Sequence, residues 1–138
     1  MIRVESVPAE LTRPLRQAVL RPHESLEELA SHEQPGAHAV AAFDGERLIA
    51  VGFVGPDGEA DDWRVRGMAT EPDARGRGAG SAVLGALIEH AATQGAARVW
   101  CNARVPAISL YARAGFEVES EEFEIPGIGP HVVMARRI

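Results

Sequence analysis

The segment Arg75-Gly76-Arg77-Gly78-Ala79-Gly80 packs three glycines and two arginines into six residues. Glycine there costs backbone entropy but lets the main chain approach a ligand closely. The apolar stripe of Ala79, Val83, Leu84, Leu87, Ile88 and Ala91 predicts a long helix over 77–94. The first turn of a helix carries unpaired N–H groups and partial positive charge. A glycine turn feeding such a helix makes a seat for a phosphate or pyrophosphate, with Arg75 and Arg77 adding charge. A P-loop is excluded, because it needs a lysine and every Lys+Arg residue here is arginine. A dinucleotide fingerprint fits poorly. Ser81 stands where it needs glycine or alanine, and the turn follows the fourth predicted strand rather than the first.

Other elements must position this turn. Residues 2–7 alternate as a strand, and Leu11, Leu15, Ala18 and Val19 recur at helical spacing, with Thr12 as the expected cap. Ser25-Leu26-Glu27-Glu28 reads as a capping box opening a second helix. Apolar runs 37–43 and 46–54 flank Asp44-Gly45, a hairpin signal. Strands follow at 62–70 and 98–102, a helix from Pro106 to Gly115, and strands near 116–124 and 131–137. The expected architecture is α/β: one domain over 1–138, with a central mixed sheet of about seven strands flanked by about four helices. By the two-residue strand period, Arg64 and Arg66 are expected on the same face as Met68 and Thr70.

Composition bounds the function. With 138 residues, 46% hydrophobic and 25% charged, the chain suits a single compact core. A net charge of -6 argues against nucleic-acid binding. No apolar run approaches the roughly 20 residues of a membrane span. The N-terminus lacks a signal-peptide core, and the lone Cys101 cannot form an internal disulfide, so a reducing, cytoplasmic setting is expected. Cys101 is read as a small buried apolar residue. His23, His32, His38 and His90 show no metal-ligand spacing, so no metal is expected.

The stretch from Met68 to Gly80, with Pro72, Arg75, Gly78 and Gly80, resembles the acetyl-CoA motif Gln/Arg-x-x-Gly-x-Gly/Ala of GCN5-related N-acetyltransferases (GNAT). Downstream, Ala107-Ile108-Ser109-Leu110-Tyr111-Ala112-Arg113-Ala114-Gly115-Phe116 resembles the family's Ala-x-x-Leu-Tyr…Gly-Phe segment. The resemblance implies a V-shaped opening between the fourth and fifth strands. Backbone groups from Arg75, Gly76, Arg77, Gly78, Ala79 and Gly80 would hold the CoA pyrophosphate. Met68 and Thr70 would pair with the pantetheine arm, and Tyr111 would protonate the departing thiolate. The implied activity is transfer of an acetyl group from acetyl-CoA to a small-molecule or peptide amine. A homodimer is compatible with the resemblance, and no membrane or nucleic-acid partner is implied.

Two positions depart from the pattern. Arg104 stands where the family often has a cofactor-contacting asparagine, with Asn102 as its nearest substitute. Arg64 stands where many members carry a glutamate base. His131, Glu33, Asp61 and Asp62 are the candidate replacements for that base. If the Arg64–Arg66 face lines the cleft, these arginines, together with His131, belong to the acceptor side. Without its usual base, the chain could also be a non-catalytic CoA-binding regulatory module. A different phosphate-ligand binder on a similar sheet is the remaining reading.

Overall fold

The computed structural model describes residues 1–59 and 61–138. Strand β1 (Ile2–Val7) leads through a 3-10 turn (Ala9–Thr12) into helices α1 (Arg13–Leu20) and α2 (Leu26–Ala30). Strands β2 (His38–Asp44), β3 (Arg47–Pro56) and β4 (Asp62–Thr70) form an antiparallel meander. Helix α3 (Ala79–Thr93), strand β5 (Arg98–Arg104) and helix α4 (Ile108–Arg113) follow, then β6 (Glu117–Val118), β7 (Phe123–Ile125) and β8 (Gly129–Arg137). One mixed sheet results, ordered β1-β2-β3-β4-β5-β8-β6, with β7 also pairing to β8. Among the described residues, no helix is long and apolar enough to cross a membrane.

The local signals act as expected at most joints. Ser25 closes its capping box in both directions: its hydroxyl accepts from the Glu28 N–H, and the Glu28 carboxylate accepts from the Ser25 N–H. Gly45 takes φ 61°, and Asp44 pairs with Arg47 to close the hairpin. Helix α3 begins at Ala79 rather than at 77, because Gly78 turns left-handed at its N-cap.

Two expectations are corrected. Thr12 does not cap α1. It is fully buried, and its hydroxyl donates to the Ala9 carbonyl and accepts from Arg16. The strand expected near 116–124 is two pieces. Between them the Ser120 hydroxyl accepts the Val133 N–H, replacing a ladder carbonyl, so β6 and β7 are separated along β8.

Helices cover both faces. The larger core joins α3 to Val40, Ala42, Val54 and Val65, while a smaller one sets Leu15 of α1 on Ala41, Val51 and Ala69. Val65 and Ala69 would share a face in a regular strand, yet they lie in opposite cores. The cause is a bulge: Val51 pairs with Ala69 and Phe53 with Arg66, so Gly67 and Met68 oppose Gly52 alone. Gly67 takes φ 68°, the left-handed position such a bulge demands. A side chain there would also strike the Phe53 ring, with a Cβ only 2.5 Å from Cε1. The phase of β4 therefore inverts. Arg64 and Arg66 face α1, whereas Met68 and Thr70 face α3, so the expected common face is wrong.

Helix α1 is fixed by an ion cluster. Arg16, 2% exposed, donates to Glu33 Oε2 at 2.6 Å and to the Leu29 carbonyl at 3.0 Å. Its guanidinium lies 4.7 Å from the Phe53 ring centre. Arg13 grips the same carboxylate through two bonds of 2.9 Å.

Candidate active site

Strands β4 and β5 run parallel for only three pairs, Asp62 with Arg98, Trp63 with Val99 and Arg64 with Trp100. Both strands continue, to Thr70 and Arg104, but no further pair joins them. The main chain from Val65 to Thr70 thus presents an open edge toward β5. A cleft of about 870 Å³ fills this wedge.

At one end lies the glycine turn. Gly76 and Gly78 have φ 80° and 84°, and α3 starts without a side-chain cap. The Gly78 carbonyl accepts from the Ala82 N–H, which leaves the earlier N–H groups of the first turn free of helical partners. A Cβ built on Gly76 or Gly78 meets nothing within 4 Å. Packing inside the chain therefore does not demand these glycines; the backbone conformation does, and the space above them is open. Gly80 differs, because a Cβ there would sit 3.4 Å from Thr70 Oγ1, pinning the helix start to the end of β4. This uncapped, sterically open cradle fits a diphosphate. Arg75, Gly76, Gly78, Ala79 and Gly80 all line the cleft. The Arg77 side chain is directed elsewhere: its guanidinium binds Asp44 at 2.8 Å. The expected contribution of its charge to the cradle is thereby corrected.

Tyr111 lines the cleft from α4, with its ring edge-on to Phe116 at 5.5 Å. Burial, with the neighbouring Cys101 thiol, raises the Tyr111 pKa well above the usual phenol range. The phenol therefore remains a proton donor at any working pH. Cys101 is buried as expected, and desolvation pushes its thiol up to about 12, which makes it a poor nucleophile.

The candidate bases separate. Glu33 is held between Arg13 and Arg16, whose hydrogen bonds outweigh burial and lower its pKa. Asp62 receives Arg98 at 3.0 Å. Neither they nor Asp61 line the cleft; His131 does. Its Nδ1 lies 2.8 Å from the Gly129 carbonyl, which can only accept, so Nδ1 carries the hydrogen. In the neutral ring Nε2 then holds the lone pair.

A model of the Acetyltransferase (GNAT) family matches residues 5–116. The chain belongs to that family. The GNAT assignment agrees with a Bacillus subtilis relative described as the uncharacterized N-acetyltransferase YitI. It is 35% identical over 146 residues, spanning 100% of this chain and 97% of YitI. In fold, the ribosomal-protein-S18-alanine N-acetyltransferase of Escherichia coli superposes with a TM-score of 0.80 at 21% identity, covering 100% of this chain and 94% of that one. A Bacillus subtilis acetyltransferase solved in complex with CoA superposes at 0.76 with 17% identity, covering 100% and 99%. This GNAT chain is an acyltransferase of the N-acetyltransferase type.

Sequence reasoning missed how many arginines line the cleft. Burial alternates along β5, so Trp100, Asn102 and Arg104 share the face opposite Val99, Cys101 and Ala103. Asn102, expected at the cofactor, therefore lies on the face shared with Arg104. The signal that could have revealed the arrangement was Gly67 in mid-strand, a residue that commonly marks a bulge.

Proposed function

We propose that this GNAT enzyme transfers an acetyl group from acetyl-CoA to the amine of a small molecule or peptide, within a single catalytic domain spanning 1–138. The parting of β4 from β5 after Arg64, with the glycine turn at one end of the wedge, is the observation that carries this reading. The main-chain amides of residues 76 and 78–80 hold the diphosphate. The open edge of β4 around Met68 and Thr70 pairs with the amide-bearing arm, as an added strand would. Acetyl-CoA supplies the activated acyl group. Tyr111 Oη donates its proton to the departing thiolate, and His131 Nε2 accepts the proton of the attacking amine, directly or through water. Such a base matters because an alkylamine of pKa near ~10 is neutral only about one part in a thousand at pH 7, a deficit of roughly 4 kcal/mol.

A second reading, a non-catalytic CoA-binding module, is favoured by Arg64 at the usual base position, where Asp57 at 3.4 Å and the Trp100 ring hold it. Two measurements separate the readings. CoA and acetyl-CoA, but not ATP or NAD, should stabilise the protein by about 2.7 kcal/mol at 100 times Kd. Free thiol should then appear from acetyl-CoA when amines are added. Binding without thiol release across a broad amine panel would leave only the module.

Tyr111→Phe tests the acid. A thiolate of pKa near ~8.5 departs without much help, so the expected loss in kcat is about 10- to 100-fold rather than complete. The Kd for CoA should stay within a factor of about three. Because burial raises the phenol's pKa, wild-type activity should show no alkaline fall due to Tyr111 below about pH 10.

A further inference from the structure

The cleft has an unusual charge balance. The chain carries 20 Asp+Glu against 14 Lys+Arg, yet among the described residues no aspartate or glutamate lines the cleft, while seven arginines do. Several of these already have partners. Arg16 is bound to Glu33, Arg21 to Glu24 at 2.8 Å, and Arg64 to Asp57. Arg66 and Arg104 are different. Among the described residues neither meets a carboxylate, and Arg104 donates to the Leu20 carbonyl at 3.1 Å, at the end of α1. Both guanidinium groups are partly desolvated, and Arg21 adds repulsion to each. Unpaired, half-buried cations are costly, so a fold that keeps two of them beside one wedge is incomplete without an anion.

Placement makes the pair usable. The Gly67 bulge turns Arg66 toward α1, opposite Phe53, and the alternation of β5 turns Arg104 toward the same layer. Arg104 lies directly across from His131 in the β5–β8 register. An anion between Arg66 and Arg104 would therefore sit next to the histidine that receives the amine proton, on the sheet face opposite α3. The flat two-pronged guanidinium suits a planar carboxylate.

We propose that the acceptor is an amine carrying a carboxylate, seated by Arg66 and Arg104. This rests on the acetyltransferase reading for the identity of the second ligand, but the anion seat can be tested without turnover. Cationic acceptors such as polyamines are excluded by the same charges, which repel them. The arginines bind and orient; the acyl transfer itself stays with the amine, Tyr111 and His131.

The test has two arms. In the first, wild type, Arg66→Gln and Arg104→Gln are assayed by thiol release with matched amines. These are amino acids, their amides, phosphoethanolamine, amino alcohols and polyamines. Amino acids should exceed their amides by roughly 10- to 100-fold in kcat/KM, as a charge-assisted pair predicts. Each variant should lose most of that ratio through KM, while the Kd for CoA changes less than about twofold. In the second arm, binding of N-acetyl amino acids and of their amides is measured by calorimetry in the presence of CoA. Wild type should bind the acids preferentially, and the variants should not.

Arg66→Gln should leave Tm unchanged or raise it, because it removes an unpaired desolvated charge, so loss of binding cannot be put down to unfolding. Equal use of amides and acids, or an equal loss on all acceptors in the variants, overturns the proposal. So does a preference for phosphoethanolamine, which would assign the seat to a phosphate. If CoA binds and no carboxylate does, the seat fails while the acetyltransferase reading stands. If carboxylates bind as described and no amine is acetylated, the seat stands and that reading fails.

Discussion

Replacing Gly78 by glutamate is expected to abolish CoA binding while leaving the fold in place. Gly78 holds φ 84°, and its Cβ position faces open space. The backbone strain of a side chain there is about 1–2 kcal/mol. A carboxylate next to the first turn of α3 recovers roughly 0.3–1 kcal/mol from the helix dipole. Tm should therefore fall only slightly. The same carboxylate occupies the amide cradle and opposes a diphosphate by charge, so stabilisation by CoA should vanish. Gly78→Ala separates the causes, since it carries the strain without the charge. Its affinity for CoA should drop only modestly, while its Tm should be similar to that of the glutamate variant. Undiminished CoA binding by the glutamate variant would remove the glycine turn from the site.

The second large effect is on stability. Glu33→Gln should cost about 3–5 kcal/mol, because Arg16 at 2% exposure loses its counter-charge. Glu33 itself is only 11% exposed, so solvent does little to soften the loss. Replacing Arg16 and Glu33 together by methionine and leucine should cost less than Glu33→Gln alone, since no orphaned charge remains from that pair. The pH dependence has a definite sign. Two arginine hydrogen bonds lower the folded-state pKa of Glu33 from 4.5, so its contribution is complete above that value and is lost as acid titrates the carboxylate. The gap between wild type and Glu33→Gln should shrink as pH falls below about 4.5, measured by urea unfolding. At temperatures where Glu33→Gln remains folded, kcat should be close to wild type. A collapse of kcat there would restore Glu33 as the base.

Much of this molecule is written in local signals. The Ser25 box, the Asp44-Gly45 hairpin and the glycine turn each depend on residues adjacent in sequence, and each appears where its chemistry demands. Thr12 was misread because its environment is tertiary: it is buried against Arg16, so its hydroxyl serves that guanidinium instead of a helix end. The break near Ser120 likewise depends on a partner 13 residues away. The site was half legible. The turn stands out by type and spacing and Tyr111 through the family resemblance, but the rest of the cleft lining required knowing which way Arg64, Arg66, Asn102 and Arg104 point. For the arginines of β4, one glycine decides that.

Gly67 also separates the two halves of β4 in a way that bears on how this enzyme can be changed. Residues 62–66 and 68–70 are out of step, so the two halves of the strand pack toward different helices. Substitutions at 64 or 66 need not disturb the packing of Met68 on α3. Under the proposed carboxylate seat, selectivity toward new amines can thus be varied at Arg66 as a module, with the Met68–Thr70 half held constant.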